Sequence, residues 1–392
     1  MPKYKFSEIA YNITDKKMPE PGDEELYIGL EHLDSGSLRV TRWGSEVELV
    51  GQKLVMQKGD ILFGRRNTYL RRAAIAPHDG IFSAHGMIFR PNTAVIDPDY
   101  FPFFISSDYF MDAAIRISVG SLSPTVNWKT LKELEFFLPD LNQQRHTAEL
   151  LSAANETKEA YQDLLIRSDE LVKSQFIELF GDPIINPRRL PTKKLSELAT
   201  LITKGASPTW QGYNYTDDPT QTLFVTSENV REGSLDLSEP KYLEDGFNDK
   251  QARSVLKKGD FLINIVGASI GRAARFDLDV KANINQAVAL VRMTDEVVTS
   301  EYMMYYLNSP KALEMYEAMK SAVARANLSL QNISDLEILI PSKDEQIAFS
   351  EFLTQSDKSK YVAYQLTLFL NKFAKYELQS LFQEECICSL KM

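Results

Sequence analysis

The sequence predicts an α+β protein: two similar globular modules separated by a pair of long antiparallel helices, a coiled coil. Three observations predict it. Four short islands recur in the same order in the two halves of the chain, each half closes on an apolar strand-like run and a proline, and each closure leads into a long helical pattern.

The first island, KFSEIAYNIT from Lys5, parallels KLSELATLIT from Lys194, and YIGLEHLDSGSL from Tyr27 parallels FVTSENVREGSL from Phe224. KGDILFGRRNTYLRRAAIA from Lys58 aligns without gaps with KGDFLINIVGASIGRAARF from Lys258, and LKELEFFLPDLNQQ from Leu131 parallels ISDLEILIPSKDEQ from Ile333. The offset grows steadily along the chain, from 189 through 197 and 200 to 202. An ordered set of this kind is what a duplication with a few loop insertions leaves behind.

Each copy ends on an apolar run, Leu134 to Leu138 and Leu336 to Ile340, followed by Pro139 and Pro341. The resulting division is a first module over 1–140, a first long helix over 141–185, a second module over 186–341, and a second long helix with a C-terminal tail over 342–392. In the first helix Tyr161, Leu165, Val172 and Leu179 fall on spacings of three and four with Ser168 and Gln175. In the second, Val362, Leu366, Phe369, Phe373 and Tyr376 do likewise. These residues are the expected helix-pair interface, since a long helix with a narrow apolar stripe is marginal alone in water. From Asn142 to Phe180 the first helix would be on the order of 60 Å long at 1.5 Å per residue. Gly181, Asp182, Pro183, Asn186 and Pro187 stop it. Ordinary core helices belonging to each module are the competing reading. Within the modules, Ile61 to Phe63 and Phe261 to Val266 read as buried strands after a Gly-Asp turn, and Tyr302 to Met319 reads as a helix.

With 392 residues and 44% hydrophobic content the chain can bury two cores. It shows no signal pattern and no apolar run of the roughly 18 residues a membrane span needs, so a soluble, cytoplasmic protein without membrane contact is expected. Cys386 and Cys388 are the only cysteines, which leaves no disulfide framework and no multi-cysteine zinc site. Net charge is −10; residues 1–140 hold 16 basic and 19 acidic side chains, and residues 191–341 hold 16 and 20. Overall charge therefore argues against a free-standing nucleic-acid binder, and any such role must rest on local patches.

One patch is Arg65, Arg66, Arg71 and Arg72, interrupted by Asn67, Thr68 and Tyr69. Guanidinium groups grip phosphates or guanine edges, asparagine pairs with adenine, and tyrosine packs on sugar or base. A solvated patch paired with neighbouring acids is the bland alternative. The equivalent stretch of the second copy, Gly267 to Arg272 with Ser269, carries two glycines that permit close backbone approach but lacks the lysine-hydroxyl pair of a nucleotide-binding loop. Arg272, in the register of Arg72, is as well read as a structural turn. Lys204, Ser207, Trp210 and Tyr213 lie in a glycine- and aromatic-rich stretch where the second module carries extra length; they suit DNA contact, or a loop folded on its own core. Asn283 and Asn285, opposite Ser83 and His85, either read bases or satisfy backbone at a strand start.

Catalytic and metal sites are not expected. The four histidines, His32, His78, His85 and His146, show no ligand spacing. Asp97-Pro98-Asp99-Tyr100 lacks the second proline of the amino-methyltransferase Asp/Asn-Pro-Pro-Tyr/Phe motif and is read as a turn.

The tandem arrangement of the Lys58 and Lys258 islands, with the closures LPDLNQQ and IPSKDEQ each entering a long helix, resembles the specificity subunit of type I restriction-modification systems over nearly the whole chain. The resemblance implies two target recognition domains, each reading one half of an asymmetric, gapped sequence in double-stranded DNA. It implies two methyltransferase (modification) subunits docked on the helices, and restriction (motor-nuclease) subunits as further partners. It also implies that this chain is non-catalytic and holds no cofactor, S-adenosylmethionine, ATP and magnesium belonging to the partners. Asn142-Gln143-Gln144 departs from the Glu-Gln usual at the first closure. The alternatives are a coiled-coil scaffold whose modules bind proteins, and a solitary restriction or modification enzyme.

Overall fold

The computed structural model describes residues 1–294, 297–319 and 327–389, with side chains to 381. Two compact units emerge: residues 1–163 with 363–392, and Leu164–Val362. Each therefore contains one module together with a stretch of each long helix.

In the first unit, β1 (Lys3–Lys5) pairs antiparallel with β10 (Glu135–Phe137), so the closing strand returns to the module's first residues. A four-stranded antiparallel sheet runs β2 (Ala10–Ile13), β9 (Met87–Pro91), β6 (Ile61–Phe63), β7 (Ala73–Ile75). A second runs β3 (Lys16–Lys17), β5 (Lys53–Met56), β8 (Gly80–Phe82), β4 (Tyr27–Ile28), with β4 and β8 parallel. The apolar run Ile61-Leu62-Phe63 is unbroken because both its faces are buried. Ile61 and Phe63 enter a core with Phe6, Phe89, Phe104, Phe110 and Phe136, while Leu62 enters the opposite one with Leu54, Phe82 and Ile88.

The second unit repeats the plan. β11 (Thr192–Lys194) pairs with β20 (Glu337–Leu339), and the larger sheet runs β12 (Ala199–Lys204), β19 (Val288–Met293), β16 (Asp260–Asn264), β17 (Ala273–Phe276). The smaller sheet differs. Its order is β13 (Tyr215–Thr216), β15 (Tyr242–Leu243), β14 (Thr222–Val225), β18 (Ala282–Ile284), so the third antiparallel strand joins β14, whereas β5 joins β8 in the first unit. The duplicated halves have thus diverged in the smaller sheet. The helical run expected from Tyr302 to Met319 is two helices, Ser300–Asn308 and Pro310–Met319. Pro310 has no N–H to continue the first, and the Ser309 hydroxyl caps the second by accepting from Ala312 N at 3.1 Å.

Two recurring devices explain the repeated motifs. In the Lys-Gly-Asp turns, Gly59 and Gly259 take left-handed φ values of 90° and 94°, which a side chain would strain. The aspartates then turn inward: Asp60 accepts from Gln57 N at 2.8 Å and from Arg90 Nε and Nη2 at 2.6 and 3.0 Å. Asp260 accepts from Lys257 N, Arg292 Nε and Arg292 Nη2, each at 2.7 Å. These forked bonds hold the arginine guanidiniums protonated, raising their pKa further.

The second device is the closing glutamine. Buried Gln144 accepts from Asp97 N at 2.8 Å and donates to Pro139 O at 2.9 Å and Val95 O at 3.3 Å. Gln346 accepts from Thr299 N at 2.8 Å and donates to Pro341 O and Val297 O at 3.0 and 3.1 Å. Each glutamine thus pins the first turn of a long helix to its module. The departure at Asn142-Gln143 leaves this bond set unchanged, because both residues are exposed and Asp140 Oδ1 caps their N–H groups at 2.9 and 3.0 Å. Gln144→Ala is expected to cost about 2 kcal/mol, since it orphans one buried donor and two acceptors. Gln143→Ala should cost less than about 0.5 kcal/mol, and urea unfolding of both variants checks the difference.

The long helices span Leu141–Phe180 and Lys343–Ser389. In the second unit they run antiparallel: Phe176 and Phe180 pack edge-on against Phe349 at 5.5 and 5.4 Å, while Asp169 meets Lys360 at 3.1 Å. On the first helix Val172 is buried, and Tyr161, Leu165 and Leu179 are half-buried. The second helix corrects the expected stripe. Val362, Phe369 and Tyr376 are 55, 63 and 67% exposed, and Leu366 and Phe373 are only half-buried. The inward residues lie one position on, at Ala363 and Thr367, with Leu370, Ala374 and Leu378. Two stripes of equal period run side by side on this helix, and the closely packed one takes the smaller side chains. Thr367 is admitted because its hydroxyl donates to Ala363 O at 2.9 Å.

Candidate nucleic-acid interface

Strands β4, β6 and β8 of the first unit end at one side of their sheets, and the loops that leave them gather there. Gly64 N donates to Arg72 O at 2.9 Å, closing the turn between β6 and β7, and Ser83 N donates to Ile28 O at 3.0 Å, joining the loops after β8 and β4. The 64–72 turn is tight: Asn67 and Arg71 both take left-handed φ values, 53° and 49°. Arg65 Nε, Asn67 Oδ1 and Arg72 Nε are buried here without a partner among the described residues.

The turn separates four arginines that look alike in sequence. Arg71 forms ion pairs with Asp108 at 2.9 Å and with Asp112, and Arg72 Nη1 donates to Leu30 O at 2.8 Å. Both tie the turn to the rest of the module, so less of each guanidinium is free for an outside contact than in Arg66. Arg66 and Tyr69 are exposed, and Arg66 Nη2 reaches Ser123 Oγ at 3.4 Å. Arg65 is half-buried, and Asn67 opens the short helical turn Thr68–Leu70. His85 is exposed on the turn between β8 and β9. At the end of β4, His32 Nδ1 accepts from Gly29 N at 2.9 Å. Burial lowers the His32 pKa, keeping the ring neutral as that bond requires.

The equivalent side of the second unit has different chemistry. Asn264 N donates to Arg272 O at 2.9 Å, in the register of Gly64 and Arg72, and Gly267 and Gly271 take φ values of 85° and 88°. A side chain on Gly271 would meet the Tyr316 ring at 2.5 Å, so that glycine serves packing. Val266, Gly267 and Ala268 are exposed, Arg272 is half-buried, and Ser269 Oγ accepts from Asn264 Nδ2 at 3.1 Å. Asn283 is a correction: it is fully buried, accepts from Ser254 Oγ at 2.7 Å and donates to Asn248 Oδ1 at 2.8 Å and Gln251 O at 3.3 Å. It cannot read a base. Asn285 is half-buried and accepts from Ala287 N at 3.1 Å.

Trp210 is 90% exposed, so it does not fold over its own core. Lys204 is exposed and Ser207 half-buried, and the chain between them lies against β18, because a Cβ on Gly205 would stand 1.7 Å from Ile284 O. Tyr213 packs edge-on against Phe247 at 5.6 Å with Lys250 Nζ 5.8 Å above its ring, and so serves its own module. The Asp97 motif is a turn: Asp97 Oδ1 accepts from Asp99 N at 3.0 Å and Tyr100 N at 3.3 Å.

Sequence reasoning missed the loop 118–125, which Asn67 N binds through Pro124 O at 2.8 Å. Its signal, an isolated leucine between serines, is unreadable without knowing its exposure. Among the described residues there is no group of three or more potential metal ligands, and no helix is long and apolar enough to cross a membrane.

Residues 187–363 match the family model of the type I restriction modification DNA specificity domain. The chain is 28% identical over 118 residues to the EcoBI specificity subunit of Escherichia coli, a match covering 30% of this chain and 25% of that subunit's length. It is 19% identical over 359 residues to the MjaVIII specificity subunit of Methanocaldococcus jannaschii, covering 88% of this chain and 83% of the relative. Among solved structures, a chain from work on complex assembly and conformational transition of a type I R-M system superposes with a TM-score of 0.60 at 16% identity, covering 97% of both chains. The type I S subunit of M. genitalium superposes with a TM-score of 0.58 at 13% identity, covering 96% of this chain and 95% of that one. At such identities the superpositions speak for the fold. The matched domain covers the second module, and the chain as a whole is similar to specificity subunits of type I restriction-modification systems.

Proposed function

We propose that this chain catalyses nothing itself and reads a bipartite, gapped, asymmetric DNA target, each module contacting one half-site. The observation that carries the reading is the recurrence of one loop cluster on equivalent strand ends in both units. The two clusters differ in chemistry, arginine-rich at 64–72 and glycine-rich at 265–272, as two different half-sites require.

The partners in this reading are two adenine-methyltransferase subunits and, for cleavage, restriction subunits. S-adenosylmethionine, ATP and magnesium reside on them. Two features support docking of two like partners. A groove of about 950 Å³ lies between the module and the helix pair in the first unit, lined by Gly36, Ser107, Lys158 and Lys375. A groove of about 680 Å³, lined by Gly233 and Ser309 in the equivalent register, lies in the second. The exposed Phe369 and Tyr376 provide an apolar outer stripe on the second helix in the first unit. Phosphate neutralisation supplied by partners would also reconcile DNA reading with a net charge of −10.

The test is the methylated-adenine pattern of the source cell's DNA, compared with a strain lacking the gene. Loss of one two-part motif is expected, and an unchanged pattern would overturn the proposal. Within the assembled complex, Arg66→Ala with Tyr69→Ala is expected to weaken target binding about 10- to 100-fold. A scaffold that binds only proteins would show normal modification with the same variant.

A further inference from the structure

Residues 118–125 form a small, rigid loop. Val119 and Thr125 exchange backbone hydrogen bonds at 3.1 and 2.9 Å, Gly120 turns the chain at φ 112°, and Thr125 Oγ1 donates to Ser123 O at 2.9 Å. The loop is sewn to the arginine turn by Asn67 N to Pro124 O at 2.8 Å and Val126 N to Arg65 O at 2.9 Å. At its tip Leu122 is 95% exposed, and Val119 beside it is 61% exposed.

Leu122 and Val119 stand exposed together on a loop hydrogen-bonded to the turn that carries the exposed Tyr69, and apolar groups gathered in this way suit a contact outside the module. Its surroundings select the partner. Arg66 and Tyr69 are exposed nearby, Ser121 and Ser123 flank the leucine, and neither 64–72 nor 117–127 contains an acidic residue. A surface with a cationic rim and an apolar point fits a molecule with an anionic rim and an apolar interior, which describes a base stack between phosphate strands. We propose that Leu122 is a specificity-determining residue that places its side chain against the apolar part of a base in the half-site read by the first module. This rests on the DNA-reading function proposed above. By the register in which Leu328 N meets Ile265 O as Val126 N meets Arg65 O, the sequence has Ala324 at the position of Leu122, which lies outside the described residues.

The test uses the full chain with its co-purified partner subunits and a duplex enriched by it from a random-sequence library. Because Leu122 touches little of its own module, Leu122→Ser should fold normally. It is expected to weaken binding about 10-fold, the scale of one lost base contact, with an unchanged salt slope because no counterion is involved, and Leu122→Met should restore most of the loss. Arg66→Ala should instead lower the slope by about one. Two arms separate the base features. Thymine-to-uracil substitution reports a methyl contact if one position reproduces the loss and adds nothing to Leu122→Ser; 2-aminopurine fluorescence reports a wedged base step if its rise on binding disappears in Leu122→Ser. Unchanged affinity, a changed salt slope, or equal losses for changes in both half-sites would overturn the inference. Failure of the wild-type complex to enrich any sequence would instead remove the DNA-reading function itself.

Discussion

Asp260→Ala is expected to destabilise the second unit by about 3 kcal/mol, the largest single-residue effect anticipated in the chain. Asp260 is 1% exposed and is the shared acceptor of the Arg292 fork and the Lys257 amide. Truncation leaves Arg292 charged beside the strand end, where only a quarter of its side chain meets solvent. The equivalent change, Asp60→Ala, should cost less, about 2 kcal/mol, because the Arg90 side chain is 34% exposed and water can solvate more of the stranded charge. Asp260→Ala/Arg292→Met should recover much of the loss, since removing both partners leaves no buried charge. Urea unfolding of the four proteins tests this order; a double variant no more stable than Asp260→Ala would show that the ion pair is not the cause. Because Asp260 begins β16, which delivers the 265–272 turn, loss of reading at the second half-site should accompany the loss of stability.

The same aspartates show what was legible in the sequence. Repetition at a drifting offset identified the duplication, because backbone-dictated features such as the left-handed glycine of Lys-Gly-Asp and the pinned glutamine must recur with the fold. Arg90 and Arg292 were not identified, because an ion pair between distant strands leaves no local pattern. The helix pair was legible as a periodicity, but its seam was displaced by one residue on the second helix. There the larger side chains Val362, Phe369 and Tyr376 form the stronger apolar stripe, while the residues that become buried are the smaller Ala363 and Thr367. The arginine cluster was visible as charge, yet only the positions of Asp108, Asp112 and the Leu30 carbonyl distinguish the structural Arg71 and Arg72 from the free-facing Arg66. Asn283 misled for a related reason: a polar residue in an apolar strand satisfies a buried network as readily as it meets a ligand.

In the proposed function the helix pair acts as a ruler, and a matched insertion should change the length of the gap in the DNA target. Seven residues added after Asp163 and seven after Val362, the boundaries between the two units, preserve the antiparallel register because both helices gain one heptad. The added length is about 10.5 Å at 1.5 Å per residue, or about three base pairs at 3.4 Å each. The expected result is a methylated motif with both half-sites unchanged and a gap about three base pairs longer, read from the adenine methylation of cellular DNA. Binding should be weaker than for the parent, because three base pairs turn the duplex by about 100° while a heptad drifts by only about 20° on the helices. Insertion into one helix alone should abolish modification, since it sets the Phe176–Phe349 and Asp169–Lys360 contacts out of register with the contacts of the other unit. A matched insertion that leaves the gap unchanged would refute the ruler and would move the origin of the spacing into the partner subunits.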